Sequence, residues 1–442
     1  MLCACAFSPT VVRWRCSHDD ALTHRRSLSL VFPFPLPPSS LRTRILYAMY
    51  AVGVMDEPAS SYNYKKLSAN VTTDASVASA RRLSAASTVL LKNEDGILPL
   101  KRGKKIAVIG FGDVGAVVHG GGSGSVTPSF VATPLFGITA ANTGGSVSFH
   151  DGTDLPAAVK AAQDADVAIV FVATLSHEGG DRASLSLDDG CVADSRSPNQ
   201  CKGNANKQNA MVAAIAAAAP KKTVVVMSIP GAVLTPWSGD VSAVLTNFMP
   251  GQQAGNAIAD VLFGDVNPSA RLPITLPNVA NETQMSDSQW PGLPVKNPVE
   301  AVYSEKLLVG YRYYDHHDLK FTTGYPFGHG LSYTTFAYSN IKVTETSVTF
   351  DVKNSGTVAG AEIAQLYLGF PASSGEPPKQ LKGFEKLQLA PGASATKTFQ
   401  LDDRSKSIWD VSSHGWAVQK GTFSVMVGSS SRDIRLTGSF TV

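Results

Sequence analysis

The chain is poor in charge and in long apolar runs. Only 17% of its 442 residues are Asp, Glu, Lys or Arg. No uninterrupted hydrophobic stretch approaches the roughly 20 residues that a membrane-crossing helix requires; the apolar tract near position 30 is broken by Pro33 and Pro35. A basic surface is also missing. The formal net charge is +3, but Arg13, Arg15, Arg25, Arg26, Arg42 and Arg44 against Asp19 and Asp20 place +4 of it in the first fifty residues. The remainder therefore sums to about −1 and offers no cationic face for nucleic acid. Neither a membrane nor a nucleic acid is an expected partner.

Cysteine is scarce too. Of five, Cys3, Cys5 and Cys16 lie in the N-terminal segment, and Cys191 and Cys201 share one polar loop, GCVADSRSPNQCKG. That pair has neither zinc-site spacing nor nearby partner ligands, so no metal and no cofactor is expected. A local disulfide between Cys191 and Cys201 is the expectation, and it implies an oxidising compartment. The acceptor triplets at Asn70 (Asn-Val-Thr) and Asn281 (Asn-Glu-Thr) agree with secretion. The N-terminus, however, shows no ordered basic, apolar and small-residue segments of a signal peptide.

What is present begins with glycine. Residues 106–126 read IAVIGFGDVGAVVHGGGSGSV. Gly110, Gly112 and Gly115 follow a short β-branched run at dinucleotide-binding spacing. The context excludes that reading. Gly120, Gly121 and Gly122, with Pro128 and Pro134 behind them, interrupt the helix that should follow. The acidic residue due about twenty positions on is replaced by SFVATPL, and no Lys-Ser or Lys-Thr completes a phosphate loop. A strand leading into a glycine-rich surface loop is the better reading.

Around that loop the chain alternates. Strands are expected at 106–109, 146–149, 167–172, 223–228 and 243–247, and helices at 156–164, 205–219 and 252–263. Such alternation predicts an α/β fold with an open, largely parallel sheet sandwiched by helices. Upstream, apolar spacing predicts helices over 41–55 and 77–93, whereas residues 1–40, ending in PFPLPPSS, predict no folded element. From Ile341 onward short strands separated by turn residues predict an all-β, immunoglobulin-like or fibronectin-type sandwich. The expected division is 1–40 unassigned, 41–80 a preceding helix and linker, 81–280 the α/β domain, 281–340 a bridging segment and 341–442 the β-sandwich.

Chemistry in an open parallel sheet sits at the carboxyl ends of its strands. The strand DVAIVFVAT delivers its end into LSHEGGDRASLSL, which places Glu178 between His177 and the pair Gly179-Gly180, with Asp181 and Arg182 next. A carboxylate there can donate a proton if burial raises its pKa. Equally, it can be a solvated loop glutamate paired to Arg182 or another base.

The runs TVLLKNEDGILPL, GGGSGSV, EGGDRASLSL, NPSARLPITLP, VGYRYYD and FGHGLSYTTFAYS occur in one order. Together with KGFEKLQLAPG and GSSSRDIRL, they resemble the C-terminal half of glycoside hydrolase family 3, the β-glucosidase and β-xylosidase group, over about residues 41–442. The resemblance implies a retaining glycosidase built from a (β/α)8 barrel, an α/β sandwich and a fibronectin type III-like domain. It places the acid/base glutamate on Glu178. It further implies that Gly121, Gly122, Ser123 and Ser125 border the sugar pocket, with Asp181 and Arg182 beside it. The substrate class implied is a β-glucoside or oligosaccharide.

One departure matters. A retaining mechanism needs two carboxylates roughly 5 Å apart, and the barrel that supplies the nucleophile has no counterpart in these residues beyond one helix-like stretch at 41–55. Asp287, in MSDSQW, is a poor stand-in because it lies in an irregular stretch. Three readings follow: a β-glucosidase-type hydrolase whose sequence is incomplete here, a truncated product that binds sugar or a partner without hydrolysing, and a nucleotide-binding α/β protein. On the first two readings, the face around Glu178 is expected to be open. It should favour self-association, and Glu178 should titrate as an ordinary glutamate. The cysteine pair yields a direct test. Peptide mapping without reduction, on chain made through a secretory pathway, is expected to recover Cys191 and Cys201 in one linked species, and free thiols at both would contradict the assignment.

Overall fold

The computed structural model describes residues 3–8, 11–16, 38–56, 69–113, 115–179, 182–189, 207–293 and 300–442. They fall into two units, Met1–Thr72 and Thr73–Val442. Asp181, Cys191 and Cys201 lie outside the described residues.

In the first unit, β1 (Cys3–Ser8) and β2 (Val11–Cys16) pair antiparallel, followed by α1 (Pro38–Ala51). This corrects the expectation of no folded element in the first forty residues. The run VVRWRC is rich in β-branched and aromatic residues, the types that favour strands. α1 matches most of the helix expected over 41–55 and opens on Pro38, a residue tolerated in a first turn because the N–H it lacks has no helical partner there.

The second unit opens with α2 (Asp74–Ser87), whose N-terminus is capped by the Thr73 hydroxyl accepting from the Ser76 N–H. The helix was expected to run on to 93. Instead it stops at Thr88, and Val89–Asn93 form β3. The reason is tertiary: Val89, Leu90 and Leu91 are almost wholly buried in an antiparallel pairing with a strand 150 positions away. That burial outweighs the modest helix preference of leucine and lysine.

The α/β layers continue as β4 (Lys105–Gly110), α3 (Pro134–Ala141), β5 (Ser146–His150), α4 (Leu155–Asp164) and β6 (Val167–Ala173). After them come α5 (Gln208–Ala218), β7 (Thr223–Ser228), β8 (Ala243–Thr246) and α6 (Ala254–Leu262). The six strands are ordered β3-β8-β7-β6-β4-β5. All pairings are parallel except β3 with β8. The α/β class expected from sequence is therefore present, with one antiparallel edge.

Why β6 reads VAIVFVA without a polar residue is now clear. Val167, Ile169, Phe171 and Ala173 enter one core, shared with Ile138 of α3 and Ile258 of α6. Ala168, Val170 and Val172 enter the opposite core, shared with Ala158 of α4 and Ile215 of α5. Burying each large side chain is worth about 1.5–3 kcal/mol. A one-residue slip would exchange the two sets, so the register is held from both faces.

After α7 (Tyr311–His316) the chain becomes all-β. A three-stranded sheet of β9 (Phe336–Val343), β10 (Ser347–Asn354) and β13 (Ser394–Gln400) faces a four-stranded sheet. The latter holds β11 (Gly360–Gly369), β12 (Gln380–Leu389), β16 (Thr422–Gly428) and β17 (Ile434–Thr441). Phe350, Leu366, Phe423 and Val425 fill the space between them. A small hairpin, β14 (Ser407–Asp410) with β15 (Gly415–Val418), was not foreseen from sequence.

The two layers systems are joined by buried charge. Arg271, just past α6, meets Glu362 of β11 at 2.7 Å, with only 7% and 3% of the two side chains exposed. Tyr338 of β9 donates its hydroxyl to the other Glu362 oxygen at 2.7 Å. Burial, then the neighbouring Glu362 charge, pushes the Tyr338 hydroxyl's pKa up. Asp315 of α7, also 3% exposed, takes Lys379 at 2.7 Å and Arg432 at 2.9 Å.

Removing one member of a buried pair leaves a charge without compensation, at a cost of about 3–5 kcal/mol. Glu362→Ala is therefore expected to lower stability by about that amount in urea unfolding. Glu385→Ala, which breaks the more exposed Lys397–Glu385 contact, should cost about 1 kcal/mol or less.

Candidate functional site

β4 and β6 are hydrogen-bonded neighbours running in the same direction, in register from Ile106 opposite Val167 to Gly110 opposite Phe171. Their carboxyl ends therefore open side by side, and the loops that follow them must meet. At the exit of β4 the Phe111 N–H bonds the Phe171 carbonyl at 3.0 Å. Gly110 has φ +83, and a Cβ there would collide with that same carbonyl. The first glycine of the dinucleotide-like spacing is thus required by packing between strands. No long helix follows; a single turn at Gly122–Gly124 takes its place.

Further along, the Gly121 N–H bonds the Ser176 carbonyl at 3.0 Å and ties the glycine loop to the loop after β6. Gly122, at φ +68, packs directly on Glu178: an added Cβ would lie 2.8 Å from both the Cβ and the backbone nitrogen of Glu178. Ser123 then reaches the carboxylate twice. Its N–H donates to Glu178 Oε2 at 3.2 Å, and its hydroxyl donates to the same oxygen. The Ser125 N–H closes the turn onto the Gly122 carbonyl at 3.1 Å.

Glu178 is exposed. The Ser123 hydroxyl, then the Ser123 amide, hold its pKa below the ordinary glutamate value. The expectation of an ordinary titration is corrected here, because hydrogen bonds donated to a carboxylate favour its ionised form. Arg182 is not the partner of Glu178. It is half-buried, donates Nη2 to the Ala232 carbonyl at 2.6 Å, and desolvation lowers its pKa. His177 sets Nδ1 3.2 Å from the Glu178 carbonyl. Asp287 makes no bond to this loop; it sits in an exposed turn and its carbonyl accepts from the Gly292 N–H.

Two surface depressions, of about 490 and 230 Å³, lie elsewhere. One is between Lys382 and Lys397 on the β-sandwich, and the other is near Met285 and Tyr313. The loop carboxylate is exposed, and Val126, Phe130, Val131 and Phe136, which follow the glycine loop along the chain, are exposed apolar residues. Among the described residues no group of His, Cys, Asp and Glu has a metal-holding arrangement, and no helix is long and apolar enough to cross a membrane. At the two Asn-X-Thr triplets, the exposed Asn70 accepts from the Thr72 N–H through Oδ1. The Asn281 Nδ2 donates to the Met285 carbonyl at 3.0 Å.

Residues 88–333 match the family profile described as "Glycosyl hydrolase family 3 C-terminal domain", and residues 362–431 match the "Fibronectin type III-like domain". The chain belongs to glycosyl hydrolase family 3. It is 34% identical to a "Probable beta-glucosidase L" of Aspergillus terreus over 97% of its own length and 66% of the relative's. The β-D-glucoside glucohydrolase of Trichoderma reesei superposes with a TM-score of 0.76 at 33% identity, over 92% of this chain and 61% of that one. A β-glucosidase from Streptomyces venezuelae, solved in complex with D-glucose, gives 0.77 at 26% identity over 97% and 69%. The family 3 chain thus spans about two thirds or less of the length of these relatives.

Within this family 3 chain, the pairing of Ser123 with Glu178 is what reading the sequence missed. The residues are 55 positions apart, and no local signal marks them as partners. A side chain at position 122 tests the geometry. Gly122→Ala must carry a left-handed φ, which costs about 1–2 kcal/mol, and must displace Glu178. Its expected signature is a drop of that order in unfolding free energy, together with altered Glu178 and Ser123 amide resonances.

Proposed function

We propose that this chain is the acid/base-bearing part of a retaining β-glucosidase acting on β-linked glucosides or oligosaccharides, with Glu178 as the acid/base. The observation that carries the reading is the placement of Glu178 at the carboxyl end of β6, clasped by the glycine loop after β4. The β-glucosidase names of the relatives support it. In this reading Glu178 protonates the glycosidic oxygen as the bond to the leaving group breaks. As a carboxylate, it later takes a proton from the water that releases the sugar. The nucleophile comes from a second carboxylate about 5 Å away, which we assign to a barrel domain outside these 442 residues.

Gly121, Gly122, Ser123 and Ser125 form the sugar-facing border, with Asp181 and Arg182 completing it. Arg182 acts at most through the loop it braces at Ala232. The expected division at 41–80, 81–280, 281–340 and 341–442, the secreted location, glycans at Asn70 and Asn281, and the Cys191–Cys201 link belong to the same proposal. So does self-association, for which the exposed apolar residues Val126, Phe130, Val131 and Phe136 are available.

A second reading, a sugar- or partner-binding protein without turnover, is favoured by one observation: the Ser123 amide and hydroxyl both donate to Glu178 Oε2, bonds that favour the carboxylate over the acid. The two separate in one assay. With an activated aryl β-glucoside, these 442 residues alone are expected to turn over no faster than the Glu178→Ala variant, because no covalent glycosyl intermediate can form. Adding a separately produced family 3 barrel should restore hydrolysis to the wild-type chain and not to the variant. Restoration to both, or to neither, contradicts the assignment of Glu178.

A further inference from the structure

We propose that Ser123 is a positioning residue for Glu178, clamping one carboxylate oxygen so that the other faces the reacting bond and the group rests as a proton acceptor. The inference rests on Glu178 being the acid/base, but its test needs no turnover. Three contacts define the clamp. The hydroxyl and the amide N–H of Ser123 both donate to Oε2. The Cα of Gly122 lies against the Glu178 Cβ and backbone nitrogen, where a side chain could not fit. The Gly121 N–H fixes the two loops together at Ser176. Oε1 takes no hydrogen bond from a described residue, so it is the oxygen left to exchange a proton.

The two donors differ in kind. A backbone N–H only donates, and so favours the carboxylate. A serine hydroxyl donates or accepts. The clamp as found favours the base half of a retaining cycle; in the acid half the proton sits on Oε1 and the Ser123 donors remain on Oε2, where they hold the neutral group less strongly than the carboxylate. Among the described residues no charged side chain is hydrogen-bonded to the Glu178 carboxylate. His177 is turned to the Glu178 carbonyl, His119 of the facing loop lies against the Gly120 carbonyl, and Arg182 is tied to Ala232. The two Ser123 bonds, rather than a charged neighbour, hold the Glu178 pKa low against desolvation.

The test is a carbon-13 NMR titration of the full chain labelled in its glutamate carboxyls, with the Glu178 signal assigned by Glu178→Gln. The wild-type midpoint is expected below the ordinary glutamate range. Ser123→Ala and, as a second truncation, Ser123→Gly should move it upward into that range, while Ser123→Thr, which keeps a hydroxyl, should hold it low. Ser123 is exposed, so none of these changes touches a core. Ala and Gly variants that titrate together with the wild type would overturn the clamp. Failure of the barrel-complemented hydrolysis with the titration shift intact would instead count against the glycosidase reading alone.

Discussion

Everything at the site descends from the ladder between β4 and β6. Because the two strands are parallel neighbours over five register pairs, their ends lie at one edge of the sheet, and two loops distant in sequence share one place. That ladder is held in turn by burial on both faces: Val108 and Ile169 in one core, Ile109 and Val170 in the other. A sheet covered on one side only could shift register for the loss of one contact face. Here a shift would bury nothing correctly on either side. The position of Glu178 is therefore set by hydrophobic packing well beneath it, and the polar contacts around it only refine where its oxygens point.

Those contacts make the site asymmetric. A proton-transfer group is most useful when both its charge states are accessible near working pH, yet here the protein's hydrogen bonds all favour one state. Burial, which favours the other, contributes least because the carboxylate is exposed. A covering layer that removed water from this face would act in the direction that burial acts, opposing Ser123. The balance between an overlying surface and an underlying hydroxyl then decides whether the glutamate behaves as acid or base. The exposed apolar residues that follow the glycine loop in the chain, Val126, Phe130 and Phe136, suit such a covering.

Much of this was legible in the residues. The unbroken apolar run of β6 and the alanine-rich α5 announced a sheet buried on both faces, and the glycines after β4 announced a loop. Glu178 stood out because it follows a buried strand immediately. What stayed hidden had physical causes. VLLKN in β3 carries residues as content in a helix as in a strand, and only its pairing with β8 decides. Ser123 looked like any loop serine, since its partner is found only once the strand order brings β4 beside β6. Arg182 sits four positions after Glu178, yet burial draws it to Ala232 instead, a choice that spacing along the chain cannot convey.

The buried ions between the α/β layers and the β-sandwich carry a consequence of another kind. Arg271, Glu362 and Tyr338 form one contact, and Asp315 with Lys379 and Arg432 another. A hydrophobic interface can slide, because one apolar contact replaces another, but a pair of desolvated charges has no second position of comparable energy. The β-sandwich is thereby denied the freedom of a tethered appendage. It belongs mechanically to the layers that carry Glu178, as a buttress belongs to a wall, and a pull applied to its outer strands is borne by the segment that follows α6.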